Sequence, residues 1–269
     1  MTSAINKGTA LVTGASAGIG AVYAEQLARR GYDLILVARN AERLQQLASR
    51  LRTQTGRSVG VIAADLNDKA DLARVEAELR NDPSITLLVN NAGVGAKVPL
   101  LEADVDAMEE MISLNVVALT RLTYAAVPGF VARGGGGVIN ISSIVGIAPE
   151  MLNGVYGGSK AFVLALTQSM HHELAEKGIR VQAVLPGATA TDFWDFIGGA
   201  ANLPQHRVMS AADMVDAALA GFDQGELVTI PALPDAADWD AFEAARRTMM
   251  PNLSRTQPAA RYAASKIAA

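Results

Sequence analysis

Short apolar runs alternate with longer amphipathic stretches along most of the chain. Thr9–Val12 reads as a strand and Ile19–Arg30 as a helix. Asp33–Ala38 (DLILVA) is an almost unbroken apolar run, as expected of a strand buried on both faces. Ala41–Arg52 follows with leucines at 44, 47 and 51, a spacing that puts them on one helical face. Val59–Ala64 is the next strand, and Lys69–Arg80 a helix with Leu72, Val75 and Leu79 on one side. Thr86–Asn90 is the fourth strand. Asp104–Ala132 is a long helical region, bent at Asn115 and ended near Pro128 and Gly129. Gly134–Gly137 leads into the strand Val138–Ile141. Tyr156–Lys177 is a helix, Ile179–Leu185 a strand, Ala211–Phe222 a helix and Leu227–Ile230 a last short strand.

Strands and helices in this alternation form right-handed βαβ units, hence an α/β fold: a doubly wound parallel sheet (Rossmann fold) of about seven strands with helices on both faces. No linker divides the chain, so residues 1–269 read as one domain. Two segments break the alternation. Residues 188–210 carry Gly198, Gly199 and Pro204 among aromatics, and residues 231–269 carry four prolines around a short helical stretch, 238–247.

Composition narrows the function classes. The chain has 269 residues, 50% hydrophobic and 19% charged, with net charge −4, which argues against disorder and against the basic footprint of a nucleic-acid binder. There are no cysteines, so disulfides, thiolate metal sites and cysteine nucleophiles are excluded. His171, His172 and His206 lack zinc-ligand spacing, and no metal is expected. No uninterrupted apolar run reaches the roughly 18 residues of a membrane span, and no signal segment opens the chain, so it reads as cytoplasmic and free of membranes.

The first chemistry lies in Thr13-Gly14-Ala15-Ser16-Ala17-Gly18-Ile19-Gly20, between the first strand and the first helix. Glycines there permit a tight turn and let a pyrophosphate approach the backbone, while the helix N-terminus offers free amides. The lysine and hydroxyl of a P-loop are missing. Further on, Tyr156 and Lys160 stand four apart on a helix and share a face. A tyrosine is a poor base near neutrality, and a nearby ammonium is expected to lower its pKa. So tuned, it can exchange a proton with an alcohol or carbonyl oxygen, which Ser143 can hydrogen-bond as charge develops. The second strand ends at Ala38-Arg39, where sites for NAD usually place an acid. Arg39 suits a 2′-phosphate or is simply a solvated arginine, and NADP(H) is favoured over NAD(H).

The glycine spacing resembles that of the compact, single-domain branch of the short-chain dehydrogenase/reductase family. The resemblance extends from Lys7 to Ile230 through Asn90-Asn91-Ala92-Gly93, Asn115, Ile141-Ser142-Ser143, Tyr156-Gly157-Gly158-Ser159-Lys160 and Pro186-Gly187 with Thr191. It implies an oxidoreductase transferring a hydride between NADP(H) and a ketone or secondary alcohol. Tyr156 is then the general acid/base, Ser143 orients the carbonyl in preference to Ser142, Lys160 also binds the nicotinamide ribose, and Asn115 holds a water leading from Lys160 to solvent. The implied cofactor residues are Gly14, Ser16, Gly18, Ile19, Gly20, Arg39, Asp65, Leu66, Asn91, Ala92, Gly93, Pro186, Gly187, Thr189 and Thr191, together with Tyr156 and Lys160. Asp65 reads equally as the cap of the following helix.

The resemblance makes 188–210 a substrate lid, with Phe193, Trp194, Phe196 and Ile197 facing a hydrophobic substrate or packing in the core or a subunit contact. Val94, Val145, Met151 and Leu152 are candidates for the same pocket. Residues 231–269 form a variable C-terminal extension, and a homodimer or homotetramer is implied. The alternative function is a redox sensor that holds NADP(H) without turnover.

Overall fold

The computed structural model describes residues 7–262, with 195–197 described by backbone alone. The chain forms two compact units, Met1–Ala232 and Leu233–Ala269. In the first, β1 (Thr9–Thr13), β2 (Asp33–Ala38), β3 (Val59–Ala63), β4 (Ile85–Asn90), β5 (Gly136–Ile141), β6 (Ile179–Val184) and β9 (Val228–Thr229) make a seven-stranded sheet in the order β3-β2-β1-β4-β5-β6-β9. Every neighbouring pair is parallel. The doubly wound parallel fold expected from the alternation is therefore the fold observed.

Strand alternation divides the core into two layers. Ala10, Val12, Leu34 and Leu36 face α1 (Gly18–Arg29), α2 (Ala41–Thr55) and α7 (Ala211–Gln224). Leu11, Ile35 and Val37 point the other way, toward α3 (Lys69–Asn81), α5 (Leu119–Ala132) and α6 (Gly154–Leu174). The leucines predicted to share a face of α2 are all buried, as are Leu72, Val75 and Leu79 of α3.

The order reverses between β1 and β4: the chain winds outward from β1 to β3, then crosses back to β4. At such a switch point the loops beyond the strands diverge and leave a crevice. The loops after β1, β4, β5 and β6 meet there.

Three local expectations change. The long helix is α4 (Val105–Ile112), a π-helical turn at Ser113–Ala118, then α5, so the irregularity expected at Asn115 is a π-bulge. Pro128 does not end it. The helix runs on to Ala132 because Phe130, beyond the proline, is fully buried, and the left-handed residue that stops it is Gly134 (φ 75°). The continuous helical span Val105–Ala132 is also long and apolar enough to cross a membrane, contrary to the expectation that no stretch is. Scattered polar residues hid its length in a search for unbroken runs, and 44% of its most apolar window is buried inside this fold.

The ends of the 188–210 segment are tied together by a feature with no sequence signal. β7 (Thr189–Ala190) pairs in parallel with β8 (Met209–Ser210), and the backbone between them is a series of 3₁₀ turns. In the second unit the expected helix is α8 (Ala236–Met249), capped by the Asp235 side chain, which accepts from the Ala237 amide.

Glu76 joins α3 to α5, on the sheet face that packs α3, α5 and α6. Its buried carboxylate accepts hydrogen bonds from Arg80 and, at 2.5 Å, from Arg121 of α5. Burial pushes its pKa up, but the two arginine hydrogen bonds outweigh burial and hold it below the usual glutamate value of 4.5. A carboxylate with a depressed folded pKa contributes stability above its unfolded pKa and loses it as pH falls through the folded value. Glu76→Gln should therefore cost about 1–2 kcal/mol near neutrality, since both arginines reach solvent when released. The cost should shrink as the pH is lowered below the carboxylate range. Thermal unfolding between neutral and acid pH checks this; a cost independent of pH would show that the charge is not responsible.

Candidate active site

β1 hands the chain to α1 through a loop that is tight by necessity. Gly14 takes a left-handed conformation (φ 66°), and a Cβ there would lie 2.7 Å from the Asn91 side-chain nitrogen. A Cβ on Gly20 would overlap the Gly14 carbonyl. The N-terminus of α1 is capped by no side chain, Ala17 being extended at that position, and its first turn holds no acid. Its first amides therefore keep their capacity for an anion. This glycine-walled cradle with open helix amides fits the pyrophosphate of a dinucleotide.

Asn91 braces the cradle from β4. Its side-chain amide donates to the carbonyls of Thr13 (2.9 Å) and Gly14 (3.3 Å). The Thr13 hydroxyl accepts from the amides of Asn91 and Ala92, both at 3.0 Å. Thus β1 and β4 are clamped together where the crevice opens.

The crevice holds a cavity of about 460 Å³ lined by both the glycine loop and the expected catalytic residues. Of the sequence-predicted residues it brings together Gly14, Gly18, Ile19, Asn91, Ala92, Gly93, Ser143, Tyr156, Lys160, Pro186, Gly187, Thr189 and Thr191. Ser16, Gly20, Arg39, Asp65, Leu66 and Asn115 do not line it. Arg39 is exposed just past β2, and among the described residues no hydrogen bond or ion pair engages its guanidinium. Leu66 is buried in the core layer that includes α3, α5 and α6. The Asp65 side chain accepts from the Asn67 amide at 3.0 Å, and the cap of α3 is Asp68, which accepts from Ala70 and Asp71.

The chemistry-bearing side chains come from β5 and α6. Asn153 caps α6, accepting from the amides of Val155 and Tyr156, and so places Tyr156 in the first turn. Its own side-chain amide donates to the Val98 carbonyl at 2.7 Å, which anchors the cap to the loop after β4. Lys160 lies one turn along, with Nζ 5.9 Å from the centre of the Tyr156 ring, and donates to the Ile141 carbonyl at 2.9 Å. The Ser142 hydroxyl donates to the Lys160 backbone carbonyl at 2.7 Å and is thereby committed to holding α6 on β5. Ser143, next to it, lines the cavity, and its backbone contacts are longer, to the Pro186 carbonyl (3.4 Å) and from the Val145 amide (3.3 Å).

Asn115 reaches the site from the π-bulge. Its side chain accepts from the Val94 amide (3.0 Å) and donates to the Val94 carbonyl (2.9 Å) and the Ser159 hydroxyl (3.1 Å). Both amide donors are committed to protein partners, which ties the loop after β4 to α6. The space over Gly93 runs between the Asn115 carbonyl oxygen and Lys160 Nζ, 3.0 and 3.4 Å from where a Cβ would stand.

The electrostatics depart from the expected tyrosine–lysine coupling. Burial pushes the Tyr156 phenol up to about 12, opposed by hydrogen bonding with the Ser143 side chain. Burial likewise pushes Lys160 down to about 8. The lysine does not bring the phenol down, because its ammonium is turned to the Ile141 carbonyl and burial weakens its own charged form. The phenol is therefore held protonated at neutral pH, as a proton donor.

The rest of the cavity wall is largely apolar, with Val145, Met151, Leu152, Phe193 and Trp194 among its residues. Trp194 is buried and donates from Nε1 to the Thr189 carbonyl at 2.8 Å. The side chains of Phe196 and Ile197 lie outside the described residues, and Val94 is exposed and does not line the cavity. Sequence reasoning missed Lys97, Leu203 and Arg207 in the wall, and an ion pair at its rim between Arg43 of α2 and Asp192, 3.6 Å apart. None of these carries a local signal. Among the described residues no group of three acids or histidines could hold a metal ion.

Comparison with known proteins agrees with this site. The family model for short chain dehydrogenase matches residues 8–200. The very-long-chain 3-oxoacyl-CoA reductase of Anas platyrhynchos is 38% identical over 187 residues, covering 68% of this chain and 60% of that protein. The chain thus spans about three-fifths of the length of that relative. Among solved structures, a short-chain dehydrogenase from Sphingobium yanoikuyae in complex with NADPH is 50% identical with a TM-score of 0.91, covering 95% of this chain and all (100%) of that one. The bulky-bulky ketone specific alcohol dehydrogenase from Comamonas testosteroni is 46% identical with a TM-score of 0.89, covering 96% and 100%.

Proposed function

This chain belongs to the short-chain dehydrogenase family, an oxidoreductase family, and on that premise we propose that it is an NADP(H)-dependent reductase of apolar ketones. The observation that carries the reading is a buried, protonated Tyr156 phenol beside Ser143, facing a largely apolar cavity that also opens onto a phosphate cradle. In reduction Tyr156 gives its proton to the carbonyl oxygen, and in alcohol oxidation it takes a proton back. The Ser143 hydroxyl hydrogen-bonds the same oxygen and stabilises charge developing there. The hydride for the carbonyl carbon is what NADPH supplies when bound. Lys160 would hold the nicotinamide ribose, the loop from Gly14 to Gly20 the pyrophosphate, and Thr189 and Thr191 the carboxamide.

NADPH as the partner rests on Arg39. It is an exposed cation just past β2, where the sequence has Ala38 in place of the acid that would meet a ribose 2′-hydroxyl, and it can extend onto a 2′-phosphate. The NADPH-bound Sphingobium relative is consistent with this. The apolar cavity and the bulky-bulky ketone specific Comamonas relative support bulky ketones. Homo-oligomerisation is supported by exposed Ile112, Val117 and Tyr124 along the 105–132 helical span and Phe162 on α6; a single-protomer mass in sedimentation would overturn it.

The test is a panel of aryl and alkyl ketones run with both cofactors. Turnover is expected with NADPH, and cofactor binding without turnover on any ketone would overturn the reading. In the same assay Arg39→Asp should move the NADPH-to-NADH ratio of kcat/KM toward NADH by about tenfold or more, the worth of one charge-assisted hydrogen bond. A wild type more efficient with NADH would refute the cofactor assignment.

A further inference from the structure

Tyr156 stands in a turn of α6 that its own sequence leaves soft. Gly154, Gly157 and Gly158 are among the first five residues of the helix. Glycine is a poor helix former, and nothing beyond the helix itself lies within 4 Å of where a Cβ would stand on Gly154 or Gly158. A helix start also leaves its first amides without intrahelical partners. Left to itself such a turn frays, and the phenol would lose the position that proton transfer needs.

Side chains hold it instead. The Asn153 side-chain oxygen accepts from the amides of Val155 (2.8 Å) and Tyr156 (3.4 Å), and its nitrogen donates to the Val98 carbonyl at 2.7 Å. The Asn153 backbone amide donates to the Ala96 carbonyl at 3.3 Å. The Tyr156 carbonyl accepts from the Ser159 hydroxyl at 2.8 Å. That hydroxyl accepts in turn from Asn115, which grips both backbone groups of Val94. The backbone N–H and C=O of Tyr156 are thus both tied, through side chains, to one stretch of the loop after β4: to Val98 by Asn153 and to Val94 by Ser159 and Asn115. Between them lies Gly95, where a Cβ would overlap the Phe193 ring that packs on Tyr156 with centres 5.9 Å apart. Gly93, at the start of the same stretch, lines the cavity. Asn153 is buried, so its amide group cannot trade these partners for water.

We propose that Asn153 is a positioning residue for the proton transfer, fastening the Tyr156 turn to the loop after β4 in parallel with Asn115. Asparagine suits the task because one amide group supplies both an acceptor for the helix amides and a donor for the Val98 carbonyl. Serine can take over the capping half of that role, but it is too short to reach Val98 as well. The inference rests on the ketone-reductase reading and deepens it by naming a residue that acts on the phenol without touching the substrate.

Two substitutions test it, with NADPH and a ketone that the wild type reduces. Asn153→Ala removes both the cap and the tie to Val98; Asn153→Ser keeps the cap and removes the tie. Asn153→Ala should lower kcat by about 10²-fold, the cost of misplacing a reacting group by about 1 Å, and Asn153→Ser by about tenfold. NADPH affinity should stay near the wild-type value in both. The solvent deuterium isotope effect on kcat should grow, because proton delivery becomes the slower step. A residue that served only the fold would lower the melting temperature and leave kcat and the isotope effect of the folded enzyme unchanged. If Asn153→Ala fails to fold, Asn153→Ser decides alone. A wild-type kcat in folded Asn153→Ser, or a loss of NADPH affinity as large as the loss of kcat, would overturn the assignment while leaving the reductase reading intact. Failure of the wild type to reduce any ketone while still binding NADPH would overturn that reading and the inference with it.

Discussion

Tyr156→Phe should lower kcat for ketone reduction by about 10²- to 10⁴-fold, the usual worth of a positioned general acid, and leave NADPH affinity nearly unchanged. The substitution removes one oxygen and keeps the ring. The contacts with Phe193 and Val145 survive, Asn153 still caps the helix, and Lys160 still donates to the Ile141 carbonyl. What is lost is the phenol oxygen, which burial holds protonated at a pKa of about 12. Ser143 is left to hydrogen-bond the carbonyl oxygen, but a serine hydroxyl is a far weaker proton donor. Steady-state NADPH consumption, with fluorescence titration of NADPH, separates the two effects. A variant within tenfold of the wild type (about 1.4 kcal/mol) would show that the proton comes from elsewhere. A variant that loses NADPH binding would show that the phenol serves the cofactor more than the substrate.

The motifs were legible because a parallel α/β chain carries its chemistry where strands end. Gly14 and Asn91 follow a strand directly, Ser143 and Pro186 stand two residues past one, and the sheet order then brings those four ends to one edge. Hydrophobic alternation was enough to locate the strands, so the residues after them could be placed together without coordinates. Depth was not legible in the same way. The four-residue spacing of Tyr156 and Lys160 correctly put them on one face, but it suggested a coupling in which the ammonium lowers the phenol. Burial is a property of the assembled core, and here it moves both groups toward their neutral forms.

Features made by distant contacts were hidden for a related reason. Gly95 reads as an ordinary turn residue until Phe193 is found on it. The β7–β8 ladder has two-residue strands, too short for any period to show. Pro128 reads as a stop because its local chemistry is unfavourable in a helix, yet the burial of Phe130 beyond it carries the helix on. Asp65 and Asp68 stand three apart with equal capping chemistry, and only the path of the backbone selects Asp68.

Lys160→Met should abolish most ketone reduction and, at neutral pH, make the cofactor-free protein more stable than the wild type. Lys160 is buried, its ammonium donates to the Ile141 carbonyl, and its pKa falls from the ordinary 10.5 to about 8. A lysine whose folded pKa lies below its unfolded one binds fewer protons when folded throughout that interval. Stability therefore rises as pH climbs from about 8 to 10.5, and below about 8 the cost of the buried charge is carried in full. At about 1.4 kcal/mol per pH unit, that cost is on the order of 3 kcal/mol. Methionine fills nearly the same volume without the charge, at the loss of one hydrogen bond worth about 1 kcal/mol. The variant should thus gain about 2 kcal/mol near neutrality, and the gain should vanish toward pH 10.5 as the wild-type lysine discharges in both states. Denaturant unfolding of both proteins at neutral and alkaline pH measures the difference directly, with contributions from other groups cancelling. A difference that does not change with pH would show that Lys160 is not strained by its charge. A stabilised variant without activity would place this lysine among residues kept at a cost to the fold for the chemistry they serve.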